Sequence, residues 1–332
     1  MRSGERAFDP VLWERLWLEA LVSSPVARRD RFGPAEKLAH WDRRAEGYAR
    51  QSESAESRAR RAELLRWLGS RGALQARFRV LDIGAGPGNF ALPLAVRVRQ
   101  VTALEPAPGM AAILRRRQAA RGLRNIRVVE RGWGEVELER EAWAGGFDLV
   151  FASMSPGVNG PQALERMNRA SRRFCYLSGW SGAQWGPWGL ARRELWPILF
   201  REEAGNYPND VLYAFGLLYA RGYRPELRFR WQETRQELKR EEAEEELGRV
   251  FERYTPLTPA VRRRIGDYVR ERTRGGRFRQ VGRQCQGFLL WEAGPGLTAP
   301  DVRARTRAAL PPRSRRTLGG RHPGSASRTP PR

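Results

Sequence analysis

The stretch Val80-Leu-Asp-Ile-Gly-Ala-Gly-Pro-Gly-Asn-Phe90 constrains this chain more than any other part of it. The residues up to Ile83 read as a short buried strand, and glycines then stand at 84, 86 and 88. Lacking a Cβ, these glycines let the backbone turn tightly and approach a ligand closely. The strand and turn open a repeating pattern: strand near 100–105, helix 108–121, strand 126–130, strand 147–152, helix 160–171, strand 173–179. Strands joined by helical crossovers predict an α/β fold, a doubly wound and mostly parallel seven-stranded sheet with ligands at the carboxyl ends of its strands.

The flanks divide the chain further. Asp9-Pro10 reads as an N-cap with Pro at the first helical position, and Trp13, Trp17 and Leu21 recur every four residues up to the Ser-Ser-Pro that stops the helix. A second helix is expected over 35–50, where Leu38, Trp41, Ala45 and Tyr48 share a face, and a third over 57–70. Residues 1–77 therefore form an N-terminal helical cap and 78–180 the ligand-binding core. After 180 the regularity fails, with Trp180, Trp185, Trp188 and Trp196 set among glycines and prolines. This reads as an insertion after strand five that acts as a lid within 181–296. That region also holds a helix at 208–221, a strand at 225–232, two helices within 237–273 and a last strand over 286–292. The tryptophans either expose their rings to a substrate or form the lid's own small core.

Composition removes several classes. Only Cys175 and Cys285 are present, so there is no disulfide framework and no cysteine set for a metal cluster. With His40 and His322 the only histidines, neither a zinc site nor a Ser-His-Asp triad is expected. The longest uncharged apolar run, 211–220, is too short to span a bilayer, and the N-terminus lacks the apolar stretch of a signal peptide, so a cytoplasmic chain is expected. The net charge of +24 suggests nucleic acid, but nine Arg and one Asp fall within 297–332, a Pro/Gly/Ser/Arg segment with few apolar residues that reads as a disordered tail. Of the 61 cations 59 are Arg, which fits a codon bias better than cations selected at chosen sites.

The glycine turn alone would also suit a dinucleotide. Asp82 at the strand end and Pro87 and Asn89 at the start of the following helix argue against that, because a nicotinamide-binding strand is apolar and its helix opens on small residues. The segment resembles motif I of the class I S-adenosylmethionine-dependent methyltransferases. Two further stretches extend the resemblance: Val101-Thr-Ala-Leu-Glu105-Pro106, with a carboxylate 21 residues after Gly84, and Gly146-Phe-Asp-Leu-Val-Phe-Ala152. It implies an enzyme with the Rossmann-like fold of that family and with S-adenosylmethionine as cofactor. Asp82, Gly84, Gly86 and Glu105 would contact the cofactor, Glu105 through both ribose hydroxyls. Where many relatives carry an Asp after the third strand this chain has Gly132, so adenine would rest on Trp133 or on Glu130 from a shifted loop. Alternatively, Trp133 only plugs the loop into the core.

The acceptor is less legible, since an activated methyl group needs little beyond a well-placed nucleophile. After the fourth strand comes Ser153-Met-Ser155-Pro156, without the Asn/Asp-Pro-Pro-aromatic pattern of enzymes that methylate base amines. A small-molecule acceptor is therefore expected, with an RNA or protein methyltransferase docking through its arginines as the alternative. Ser153 and Ser155 either orient the acceptor or satisfy the backbone of their own turn. His40-Trp-Asp-Arg-Arg-Ala-Glu-Gly-Tyr48 looks like the segment that folds over the cofactor in small-molecule relatives, which would aim the Tyr48 hydroxyl at the site; packing is the plainer role. The Glu-rich run 237–246 reads as a solvated helix face paired with Arg262–Arg264 of the next helix.

Overall fold

The computed structural model describes residues 8–294, so the expected basic tail at 297–332 lies outside the described residues. Helix α1 (Pro10–Ser23) begins where Asp9 accepts the Val11 N–H at 2.9 Å. The Ser-Pro step that ends it also starts α2 (Pro25–Arg29), a helix absent from the expectation: Ser24 accepts the Ala27 N–H and Pro25 takes the first helical position. Helices α3 (Pro34–Gln51) and α4 (Ala55–Ser70) follow as the periodicity predicts.

Strands β1 (Arg79–Ile83), β2 (Gln100–Leu104), β3 (Ile126–Val129), β4 (Phe147–Ser153) and β5 (Ser171–Ser181) are mutually parallel, and β8 (Arg277–Glu292) runs antiparallel between β5 and β6 (Glu226–Lys239). The order is β3-β2-β1-β4-β5-β8-β6, seven strands as expected, with a two-residue eighth, β7 (Thr273–Arg274), beside β8. Both faces are covered, which is why β4 is buried almost throughout. One face packs on α1, α7 (Pro161–Ala170) and α9 (Val211–Ala220) through Trp17, Leu164, Met167, Ala214 and Leu217. The other packs on α4, α5 (Ala91–Ala95) and α6 (Pro108–Ala120) through Leu65, Leu68, Leu92 and Leu114. At the amino ends of the strands, Asp148 joins three of them: its Oδ2 accepts the Arg79 N–H, and both of its oxygens take the Arg172 guanidinium at 2.8 Å.

Strands β6 and β8 are longer than the sequence suggests. They stay paired from Glu226↔Leu290 to Lys239↔Arg277, well past Ser181↔Cys285 where β5 ends. Past that point half-buried and exposed positions alternate along β6, but Arg230, Gln232 and Thr234 take the half-buried ones while Trp231 is exposed, so no apolar alternation marks the strand in the sequence. The projecting ribbon supports an annex of α8 (Gly189–Phe200), α10 (Arg240–Glu252) and α11 (Pro259–Glu271), with a core of its own. Trp185, Trp188 and Trp196 are buried there with Leu247, Phe251, Tyr268 and Phe278, and Trp180 packs against them. The tryptophan rings thus form the annex core. The expected pairing of the Glu-rich run with Arg262–Arg264 is not what holds α10 to α11. The glutamates pair within α10, Arg240 with Glu244 and Arg249 with Glu245 and Glu246, while Leu247, Phe251 and Ile265 supply the contact between layers.

Candidate functional site

The glycine turn lies at the carboxyl edge of the sheet, pinned to β2: the N–H groups of Gly84 and Ala85 both donate to Leu104 O, at 2.8 and 3.0 Å. Gly84 and Gly86 have φ of +71° and +55°, a region where a side chain is strained. Two carboxylates flank the turn from the ends of β1 and β2. Asp82 is 2 % exposed and its Oδ2 has no hydrogen-bond partner among the described residues. Burial, and then the charge of Glu105, push its pKa up to about 8 against a weaker opposing hydrogen bond from the Ala91 backbone. Glu105, also buried at 7 % exposed, accepts the Gly86 N–H on Oε2 at 2.7 Å and the Ala107 N–H on Oε1 at 2.9 Å. Burial raises its pKa and these two bonds oppose the rise. A carboxylate accepts about four hydrogen bonds, so each oxygen keeps a free lone pair.

Helix α3 covers the turn. The Tyr48 ring lies 4.0 Å from the point a Cβ on Gly86 would occupy, 38 % exposed on its outer side, with its phenol pKa raised by burial. Asp42 accepts the Gly109 N–H at 2.6 Å at the start of α6, and Ala45 and Ala49 pack on Ala107, Met110 and Ile113. Below Tyr48, Ser52 donates to Asn89 Oδ1 at 2.7 Å, and Arg117 reaches from α6 to Pro87 O and Ala49 O. In the sequence Asn89 serves only to argue against a dinucleotide site, and neither Arg117 nor Asp42 is singled out, although Asp42 lies inside the quoted 40–48 segment.

Beyond β4 the chain turns through Met154, one of three non-glycine residues with positive φ among the described residues, at +54°. This strain at a strand end beside the glycine turn leaves no mark in the sequence. The Met154 N–H reaches Ser178 O at 3.1 Å, and the hydroxyls of Ser153 and Ser178 meet at 3.2 Å. Ser155 is buried and accepts the Gly157 N–H at 3.3 Å. Ser155 thus serves its own turn, and Ser153 bridges β4 to β5.

Trp133 borders the Ser155 turn with its Cβ, 3.5 Å from the point a Cβ on Gly157 would occupy, and is buried in the packed layer. Its ring is 2 % exposed, Nε1 donates to Ala163 O at 3.1 Å, and the Arg166 guanidinium lies 5.0 Å from the ring centroid. The ring is a plug, and the Trp133 carbonyl accepts from Arg166 at 2.8 Å. Glu130, the other residue considered for adenine, pairs with Arg115. Asp82, Gly84, Gly86, Glu105 and Tyr48 are brought together, with Ser153 at the neighbouring strand end.

No helix among the described residues is long and apolar enough to cross a membrane, and no group of three or more metal-ligating side chains occurs among them.

Residues 80–175 match the family described as "Methyltransferase domain". Among curated proteins, the chain is similar to 23S rRNA (uracil(1939)-C(5))-methyltransferase RlmD of Klebsiella pneumoniae (strain 342), 37 % identical over 119 residues, which cover 34 % of this chain and 25 % of that protein. The RlmD of Edwardsiella ictaluri (strain 93-146) is 35 % identical over 119 residues, 35 % of this chain and 26 % of that one. The chain thus spans about a quarter of the length of these relatives. Among solved structures, the YcgJ protein of Bacillus subtilis superposes with a TM-score of 0.43 at 14 % identity, over 67 % of this chain and 94 % of that one. Precorrin-6y C5,15-methyltransferase of Geobacter metallireducens GS-15 gives 0.39 at 15 %, over 72 % and 90 %. The family match falls on the glycine turn, both carboxylates and the parallel strands up to β5, and over those residues the chain carries a class I S-adenosylmethionine-dependent methyltransferase domain.

Proposed function

We propose that the protein transfers the methyl group of S-adenosylmethionine to a small-molecule acceptor at the carboxyl edge of β4 and β5. The observation that carries this reading is the pair of buried carboxylates around the glycine turn. Asp82 Oδ2 is buried without a donor, and the turn lacks the Cβ atoms that would fill it, so the residues fit a cofactor bringing an ammonium group and hydroxyls. In this reading Asp82 accepts from the ammonium group, and Glu105 uses its two free lone pairs for the ribose hydroxyls. Gly84 and Gly86 give the backbone its close approach. The bound cofactor supplies a sulfonium methyl already activated towards a nucleophile.

Residues 1–77 act as a cap, with Tyr48 excluding water above Gly86, and the annex within 181–296 acts as a lid over the acceptor. Ser153 is the acceptor-positioning residue we favour, because its hydroxyl stands at the strand end, partly exposed, and meets the Ser178 hydroxyl. Ser155 and the Trp133 ring are given supporting roles, the first behind Gly84 and the second beneath the adenine-side loop.

The printed target of the two curated relatives favours a second reading, methylation of ribosomal RNA, although the similarity covers about a quarter of each. Calorimetry with S-adenosylhomocysteine, followed by labelled methyl transfer to a metabolite panel and to ribosomal RNA, separates the two. Label in a metabolite supports the first reading, and label in RNA alone replaces it with the second. Failure to bind S-adenosylhomocysteine removes both.

A further inference from the structure

A cavity of about 340 Å³ lies on the far side of the glycine turn from β4, lined by Arg58, Arg61, Arg97, Arg117, Arg121 and Glu53. These side chains come from α4, α6, the loop between α3 and α4 and the turns that follow α5 and α6, and Gly88 and Asn89 form part of the wall. Five guanidiniums thus share one hollow with a single carboxylate, and that carboxylate is already engaged by Arg117 at 2.7 Å. Elsewhere many of the arginines meet carboxylates, as Arg172 meets Asp148, Arg253 meets Asp30, and Arg71 and Arg228 meet Glu226.

Apart from the Arg117–Glu53 pair, the cavity arginines meet backbone acceptors or none. Arg58, Arg61 and Arg97 donate to the backbone oxygens of Glu53, Ser52 and Pro93, and among the described residues no acidic partner is found for Arg121. Burial lowers the pKa of Arg61; Tyr48 and Glu53 oppose the shift, and the like charges of Arg117 and Arg58 add to it. Crowded guanidiniums repel one another, and an anion placed among them turns that repulsion into attraction.

We propose that this cavity is a binding site for a small polyphosphate-bearing molecule, the five arginines around it matching two or more linked phosphate groups. Guanidiniums pair with phosphate oxygens through two parallel N–H bonds, which suits arginine to this ligand class. A hollow walled by three stretches of chain, 53–65, 88–97 and 117–121, suits a compact ligand. A nucleic-acid backbone would instead need a basic track running on past the cavity. The site does not depend on the methyl-transfer reading. It does touch the same loop from behind, since Arg117 also holds Pro87 O and Asn89 lies in its wall.

Calorimetry of the full chain with sodium pyrophosphate, at low and moderate salt, tests this. The variant is Arg58→Gln with Arg121→Gln, at two residues outside the carboxylate-flanked turn. We expect one pyrophosphate site in the wild type, weakened by salt and weaker by about tenfold or more in the variant, with S-adenosylhomocysteine binding alike in both. Equal pyrophosphate affinity in the two proteins overturns the proposal and assigns the binding to other arginines. Joint loss of both ligands overturns it by making the cavity part of the cofactor site. A single-stranded oligonucleotide that the variant no longer binds, and that pyrophosphate does not displace from the wild type, overturns it in favour of a nucleic-acid surface. If the double variant melts early, exposed Arg97→Gln takes its place, with about a threefold loss of pyrophosphate affinity expected and no change overturning the proposal.

Discussion

Ser155 stands where a side chain on Gly84 would have to go: a Cβ there would lie 3.0 Å from the Ser155 Cβ and closer still to its hydroxyl. Gly84 also has φ of +71°, so Gly84→Ala meets a steric and a backbone penalty together. We expect Gly84→Ala to weaken S-adenosylhomocysteine binding by about tenfold or more, and Gly84→Ala with Ser155→Gly to recover only part of the loss, because the second change relieves the contact and not the dihedral. Full recovery in calorimetry would mean that φ carries no penalty here.

Both Glu105 oxygens face backbone N–H groups, so Glu105→Gln is not a mild change. Whichever way the amide turns, its NH₂ confronts a donor, from Gly86 or from Ala107. A loss of about 2–4 kcal/mol in cofactor affinity is expected for Glu105→Gln, with Glu105→Ala at least as severe. Unchanged affinity would remove Glu105 from the cofactor contacts.

Asp82 makes stability depend on pH. Its folded pKa of about 8 lies above the ordinary carboxylate value of 3.8, so between those limits the folded chain holds a proton that the unfolded chain has released. Stability should therefore fall as pH rises from about 4 to about 8, and level off above that. Asp82→Asn removes this contribution, and its denaturation midpoint should vary less with pH over the same window. Parallel pH profiles for the two proteins would contradict the assignment. A cofactor ammonium group beside Asp82 would favour its charged form, so bound S-adenosylhomocysteine should also flatten the wild-type profile.

Trp196 tests the annex core. It is fully buried between Phe200 and Tyr254, with ring centroids 4.5 and 5.0 Å away, while its indole N–H has no hydrogen-bond partner. Trp196→Ala should cost about 3–5 kcal/mol in urea unfolding. Trp196→Phe should cost well under half as much, because it also removes an unsatisfied donor. A Phe variant as unstable as the Ala variant would show that the N–H has a partner after all.

The core of the fold was legible because its signals are local. The strand into Gly84, the alternation up to 179 and the cap at Asp9 each lie within a few residues and agree with one another. The ribbon was not legible, because β6 and β8 recognise each other across some fifty residues and carry charges on one face. The residue types of the site could be read, but not their immediate partners. Nothing near Glu105 in the sequence announces that its carboxylate braces Gly86, and nothing at Trp133 distinguishes a plug fixed to Ala163 O from a ring facing a ligand. Such facts depend on which segments the folded chain brings together.

Strand β8 crosses two hydrophobic cores without a break, with Phe278 in the annex and Leu289 and Trp291 under the sheet. The annex is therefore no flap on a flexible hinge. Moving it means flexing a doubly stranded spring rooted between β5 and the sheet edge, a motion felt as twist at Ser178 and Ser181, the β5 residues that pair with Phe288 and Cys285. In the proposed reading of the annex as a lid, mechanical stiffness of the ribbon, more than side-chain latches at its tip, would set how readily the acceptor enters.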